Sequence, residues 1–408
     1  MSSTHVTPSH NPLHVLHYSG SVNLDNLVVP AANGLLRFQN PDQAVVSGYR
    51  RQVVHDIIPA TAPQANFFSA TNTHFDVELP EHLDSINQAE LHLILKNNDS
   101  SLTTFTSVPS NLISRFEVRI GSEVKETITD IEMWVSQVPY TDPLQLIRQE
   151  TSTKLDPATF KVDFAIAAAT TATNIRINLP CVLTRCGIPT AGFRSPVTLR
   201  FYSQTATSVV SNATDFQLTS TFVRLYESRR RNDQLARAIR TPMDWRYLQS
   251  KIEERSIVFA SGTVIKTTLQ NYSETDLCSH MWVLIRANSL AGTARDAYLS
   301  VVTNMWLEDE AGNNLTNGIQ WKGTDLLNFN YPDKFTNNAN SAHGLYLVFC
   351  PSRDPVADFK TGAQTGVQPL TKNMRLCINP SATATYNVTV VAMCQRHTRT
   401  ENGQLSIM

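Results

Sequence analysis

Glycine is scarce in this chain, with 15 in 408 residues, about half of the roughly 7% that globular proteins carry. None of the 15 lies in a phosphate-loop or dinucleotide-binding pattern, where glycines at fixed offsets let backbone approach a phosphate. Nucleotide-dependent enzymes are therefore largely excluded. Charge is also sparse: charged residues make up 17%, and 34 Lys and Arg against 35 Asp and Glu leave a formal net charge of -1. Binding to a phosphate backbone needs a basic excess, so no sequence-specific nucleic-acid partner is expected. No run approaches the roughly 18 apolar residues of a membrane-spanning helix. The first charged side chain is Asp25, so the basic n-region of a secretory signal is missing and the chain is expected to be soluble and intracellular when made. Six cysteines (Cys181, Cys186, Cys278, Cys350, Cys377, Cys394) form no CxxC pair and mostly sit within apolar alternation, which reads as reduced core thiols. Asn98, Asn212, Asn271, Asn314 and Asn387 begin N-x-Ser/Thr sequons, read as chance matches in a chain rich in Asn, Ser and Thr.

What is present is period-two alternation. Phe75, Val77 and Leu79 alternate, as do Leu91, Leu93 and Leu95, then Phe116, Val118 and Ile120. Ile175, Ile177 and Leu179 follow, then Val197, Leu199 and Phe201. The second half repeats the habit with Met281, Val283 and Ile285, with Leu345, Leu347 and Phe349, with Met374, Leu376 and Ile378, and with Tyr386, Val388, Val390 and Ala392. Side chains two apart share one face of a strand, so each set predicts a strand with one apolar face. Helical signals are few and short, the best being 142–150 and 232–240. Neither supports a βαβ crossover, so antiparallel sandwiches joined by long loops are predicted.

The two halves also resemble each other. A strand, polar turn and strand at 112–126 return at 303–318, and a strand, Ser/Thr/Ala/Asn-rich loop, strand and basic exit at 196–230 return at 374–397. Self-similarity at half the chain length predicts two copies of one β domain. The expected division is an N-terminal arm over 1–45, a first domain over 46–227, an arginine-rich linker over 228–245, a second domain over 246–396 and a tail over 397–408.

Sandwich folds can host metal chemistry, and the screen for it is thin. His82-Leu83-Asp84 fits the first part of an iron-oxygenase facial triad, with His280 and Arg286 as distant partners, but a match this short is expected by chance and surface-turn residues are the plainer reading. His5, His10, His14 and His17 read as part of a neutral flexible arm, because Pro8 and Pro12 oppose the helix that would align them. Glu308, Asp309 and Glu310 read as an exposed turn with no opposing partner for glycoside hydrolysis. Arg229, Arg230 and Arg231 read as a solvated linker or a subunit contact, with Glu227 and Asp233 beside them. No nucleophile elbow, zinc-protease helix or kinase signature is present. No catalytic, cofactor or metal residue is assigned, and the chain is read as no enzyme.

Two stretches go beyond architecture. IRINLPCVLTRCGIPTAGFRSPVTLRFY at 175–202 resembles the late first-barrel segment of double jelly-roll major capsid proteins of icosahedral double-stranded DNA viruses. GLYLVFCPSRDPVADFKTGAQTGVQPLTKNMRLCINP at 344–380, with the tail HTRTENGQLSIM at 397–408, is similar to the polinton-like virus, virophage and adintovirus branch. The His-rich start and the very polar loops depart from that pattern. The resemblance implies an all-β chain of two tandem eight-stranded antiparallel jelly-roll sandwiches with few short helices and long loops. It further implies a homotrimeric, pseudo-hexagonal capsomer tiling a virion shell assembled inside the host cell. Partners would be further copies of the chain, neighbouring capsomers, penton and minor capsid proteins, and an internal membrane reached through the arm. Trp245, Tyr247, Trp321, Phe329, Tyr331 and Phe335, read as loop aromatics, are candidate interface anchors with local core as the alternative. The rival reading is a two-domain carbohydrate- or ligand-binding β-sandwich protein.

Overall fold

The computed structural model describes residues 51–60, 73–97, 103–105, 112–136, 140, 153–155, 162–166, 172–204, 216–229, 235–236, 239–240, 242–287, 301–316, 319–322, 345–361 and 365–407. The first barrel takes eight strands in chain order: Arg51–Ile57, His74–Glu78, Ser85–Asn97, Ile113–Ile120, Glu123–Thr129, Thr173–Asn178, Val197–Ser203 and Phe216–Arg229. Counted in that order they form two antiparallel sheets, 1-8-3-6 and 2-7-4-5. The seventh strand shows why the sequence folds this way: Val197, Leu199, Phe201 and Ser203 are buried while Thr198, Arg200 and Tyr202 are only partly so. Its register sets Phe201 opposite both Phe75 and Phe116, and the rings stack with centroids 5.2 and 5.7 Å apart. On the opposite face Arg200 holds Asp76 through two 2.7 Å hydrogen bonds.

The second barrel repeats the plan with Met243–Phe259, Ile265–Thr268, Leu277–Ala287, Val302–Glu308, Trp321–Lys322, Leu345–Phe349, Arg375–Pro380 and Ala384–Glu401. Its sheets again run 1-8-3-6 and 2-7-4-5. The similar segments read in the sequence share strands in part: 112–126 and 303–318 both carry the fourth strand and the turn after it, but the fifth strand begins inside the first segment and only after the second has ended, whereas 196–230 and 374–397 both carry the seventh and eighth. This order is that of a jelly roll, and the chain is a double jelly roll. A three-stranded sheet (Thr103–Phe105, Val162–Ile166, Thr153–Leu155) is added to the first barrel. Among the described residues the short helices Asp130–Val135, Val182–Cys186 and Pro355–Thr361 lie in the connections. The stretch 142–150 is outside the described residues, and of 232–240 only 235–236 and 239–240 are described, both helical.

The structure corrects the sequence reading at the linker, in the facing of one strand and at two aromatics. The last strand of the first barrel includes Ser228 and Arg229, and the first strand of the second begins at Met243. Strands thus enter the expected linker from both ends. In Leu345–Phe349 the residues facing the barrel core include Tyr346 and Val348, whereas Leu347 packs on the opposite face of the sheet. Trp245 and Tyr247 stand on a strand, not a loop, and belong to the first barrel's core with 3% and 2% exposure. Their rings are used inside the subunit, so the local-core reading replaces that of interface anchors.

Met243 and Leu405 join Trp245 and Tyr247 in that first core. The second barrel therefore reaches across with the start of its first strand and with the hairpin formed by Gln404–Ile407 on the preceding strand. Asn402 and Gly403 close this hairpin at φ 52° and 75°, the pair of positive values that a type I′ turn requires. Gly403 also lies so close to Gly192 O that an added Cβ would be 3.1 Å from it.

Candidate functional site

The feature that makes one body of two barrels is the seam between them. From the second barrel, Leu248, Trp282, Leu284, Leu347, Val391 and Met393 present their side chains away from its own core. From the first barrel, Ile131 and Val135 of the Asp130–Val135 helix and the nearby Tyr140 pack onto them. The 1-8-3-6 sheet of the second barrel is therefore apolar on both faces. This explains runs such as MWVLI at 281–285 and VVAMC at 390–394, where alternation fills in. Those runs are the sequence signal for the seam. At about 25 cal/mol per Å² of apolar surface, each large buried side chain contributes about 1.5–3 kcal/mol.

Polar groups thread through this contact. Phe359 of the Pro355–Thr361 helix stacks on Tyr140 at 4.0 Å with 9° between the rings, and the Arg185 guanidinium lies 4.8 Å from the Phe359 centroid. Arg185 also donates to Leu248 O on the second barrel and, at 3.1 Å, to Ser136 Oγ on the first. Thr129 and Glu132 cap the Asp130–Val135 helix reciprocally: Thr129 N–H donates to Glu132 Oε2 at 2.7 Å and Glu132 N–H to Thr129 Oγ1 at 3.3 Å. The other oxygen of Glu132 crosses the seam and accepts from Ser250 Oγ at 2.8 Å. Burial raises the Glu132 carboxyl above its usual range.

A buried relay runs beside these residues. Tyr140 OH donates to His280 Nε2. His280 Nδ1 lies 3.0 Å from Ser279 Oγ, which in turn lies 3.2 Å from Asp358 Oδ2. Asp358 also accepts from Ser352 Oγ at 2.7 Å and from Thr365 N–H at 2.9 Å. Burial pulls His280 down to about 3 and raises the Tyr140 phenol. The ring is thus neutral, with Nε2 accepting and Nδ1–H donating, and every proton in the chain points toward Asp358. Ser279, His280 and Asp358 have the composition of a hydrolytic triad but not its order, which needs the imidazole between hydroxyl and carboxylate with Nε2 on the nucleophile. Here the serine is in the middle, Nε2 belongs to Tyr140, and all three are 0% exposed. The arrangement joins barrels and orients no nucleophile toward a substrate.

The expected site residues are scattered. Arg229 donates to Glu227 at 2.8 Å within its own strand, and Glu227 further holds His55 and the Asp84 backbone N–H at 2.6 and 2.8 Å. Arg230, Arg231, Phe329, Tyr331 and Phe335 lie outside the described residues, as do His5, His10, His14 and His17. Trp321 is described through its backbone, which pairs with Met305. His82 is exposed in a turn, Asp84 is buried beside Glu227, His280 is in the seam, and Arg286 pairs with Glu254 at 2.5 Å. The triad of ligands does not converge. Among the described residues, no three His, Cys, Asp or Glu side chains form a group that could hold a metal ion. Glu308 is not in an exposed turn: it ends a strand, 6% exposed, held by Lys266 at 2.7 Å and Trp306 Nε1 at 2.9 Å. All six cysteines are thiols, five of them buried and Cys350 partly so.

At the level of sequence, no family model and no curated protein matches the chain. At the level of fold the likeness is extensive. PBCV-1 VP54, solved as a crystal structure fitted into a reconstruction of the virophage Sputnik, superposes with a TM-score of 0.61 at 11% identity, covering 90% of this chain and 99% of that one. A chain of the PBCV-1 virus capsid gives 0.59 at 12% identity, with the same coverage of 90% and 99%. The Faustovirus major capsid protein gives 0.57 at 7% identity, covering 91% and 94%. At these identities the likeness establishes the double jelly-roll fold.

Proposed function

We propose that this chain is the major capsid protein of an icosahedral virus, a structural subunit whose work is self-assembly. The observation that carries the reading is the strand order 1-8-3-6 with 2-7-4-5, occurring twice in one chain, together with a fold that matches a chain of the PBCV-1 virus capsid over 90% of the present chain. Three subunits would bring six barrels into a pseudo-hexagonal capsomer, and capsomers would tile a shell together with penton and minor proteins. The seam supports this reading because it holds two barrels as one building block. Edges support it too. Among the described residues the first strand of each barrel pairs on one side only. Val54, Ile58 and Val258 stand 53%, 76% and 71% exposed on or beside those strands. Unpaired edges and exposed apolar side chains are what a closed ring of copies would cover. Arg229, Arg230, Arg231, Trp321, Phe329, Tyr331 and Phe335 remain the residues proposed for subunit contacts. The N-terminal arm is proposed to serve contacts between capsomers or with an internal membrane.

Light scattering on the purified chain, with negative-stain images of the same sample, tests the proposal. A mass of three times 45.4 kDa with a hexagonal outline, or closed shells, is the expected result. A stable monomer at all concentrations would overturn it and favour the two-domain ligand-binding reading.

A further inference from the structure

A carboxyl group is shut inside the junction of the barrels. Glu126, on the strand Glu123–Thr129, is 3% exposed. Its Oε2 accepts from Val182 N–H at 2.6 Å, in the first turn of the Val182–Cys186 helix. Three elements carry titratable or charged groups around it. The Asp130–Val135 helix contributes Glu132, the Val182–Cys186 helix contributes Arg185, its capping position contributes Cys181, and the strand Met243–Phe259 contributes Tyr247. Arg396 lies farther out, near Tyr247 and ion-paired with Asp276 at 3.3 Å. The strand Gln404–Ile407, which also packs here, brings none.

We propose that Glu126 is a pH-operated latch: as a neutral acid it lets the first barrel close against the helix and strand that carry Arg185 and Tyr247, and as a carboxylate it loosens that closure. The physical basis is the cost of a buried charge. An ionised carboxylate placed here trades bulk water for one backbone donor, the Arg185 field and the opposing charge of Glu132, an exchange that is unfavourable unless the site opens. Burial accordingly drives the Glu126 carboxyl up to about 7, with Arg185 and the Val182 N–H pulling the other way and Glu132 adding to the rise. The folded chain then binds more protons than the unfolded chain between about 4.5 and about 7, so stability is fully present at acid pH and falls as pH rises through that window. Glu132 and Asp358, also raised, act in the same direction, whereas His280, held down, acts in the opposite one. The contribution of Glu126 must therefore be read as a difference.

The inference does not depend on the capsid reading. Its test is thermal unfolding of the full chain from pH 5 to pH 8, comparing the wild type with Glu126→Gln, which keeps an oxygen for the Val182 N–H but cannot ionise. The Tm of the wild type should fall relative to the variant by about 3 °C across this range, steadily up to about pH 7 and levelling off above it. A Tm difference that stays constant with pH would overturn the latch. Infrared spectra of the wild type provide the check that needs no variant. A protonated-carboxyl band still present at pH 6.5 and lost by pH 8.5 is expected, and its absence at pH 6.5 would overturn the proposal even if Glu126→Gln does not fold.

Discussion

Tyr140 and His280 stand on different barrels, and the phenol of one donates its proton to Nε2 of the other inside a fully buried contact. Replacing Tyr140 with Phe keeps the ring that stacks on Phe359 and removes only the donor. The imidazole nitrogen is then left buried without that bond, and unfolding in urea should show a loss of about 1–3 kcal/mol.

The same imidazole should make the protein acid-sensitive. Its folded pKa of about 3 lies below the ordinary 6.5, so the unfolded chain binds the extra proton between these values. The contribution of neutral His280 is complete above pH 6.5 and is lost as pH falls toward 3. His280→Gln should flatten this part of the profile, so that the stability gap between wild type and variant narrows from pH 7 to pH 4 in denaturant titrations.

Trp282 is 0% exposed and belongs to the seam. Trp282→Ala would leave a cavity between the barrels and should cost about 3–5 kcal/mol. Calorimetry should show the lost stability as a lower or split transition, since the contact that couples the barrels is the part removed.

Gly403 and Gly312 have positive φ, 75° and 90°, but only Gly403 has backbone in the way of a side chain. Gly312→Ala should cost about 1 kcal/mol, from the left-handed conformation alone. Gly403→Ala should cost visibly more, because the Gly192 carbonyl must also move; paired thermal melts of the two variants measure the difference.

His82→Ala should leave stability within about 0.5 kcal/mol of the wild type, since the side chain is exposed in a turn. Elemental analysis of the purified protein is expected to find no stoichiometric iron. Deleting the residues before Leu36 should in turn leave soluble trimers, and light scattering that finds no soluble trimer would refute an arm that serves lattice contacts.

Much of the fold was legible because a sandwich writes its inner face into the chain every second residue. Phe75, Val77, Leu199, Phe201, Val283, Val388 and Val390 are all core residues, and all were readable from alternation alone. So was the duplication, because equivalent strands carry similar turns and loops. The seam was less legible. Val391 and Met393 lie on the face that alternation assigns away from the core, Leu347 lies opposite to the face that alternation assigns it, and only the uninterrupted apolar runs signal a second covered face.

The sequence by itself determined the strand pattern, the repeat, the low charge and the absence of catalytic motifs, since each depends on residue types at short separations. The tertiary structure decided which outward faces are buried, and so settled Trp245 and Tyr247, open between interface anchor and local core in the sequence, as core. It also decided the company of Glu126, Glu132, Arg185, Tyr140 and His280. These residues are spread over more than 150 positions of chain, from 126 to 280, and meet only because the helices in the first barrel's connections dock on a sheet of the second. No local pattern encodes such a meeting: the burial that shifts each proton affinity comes from atoms distant in sequence.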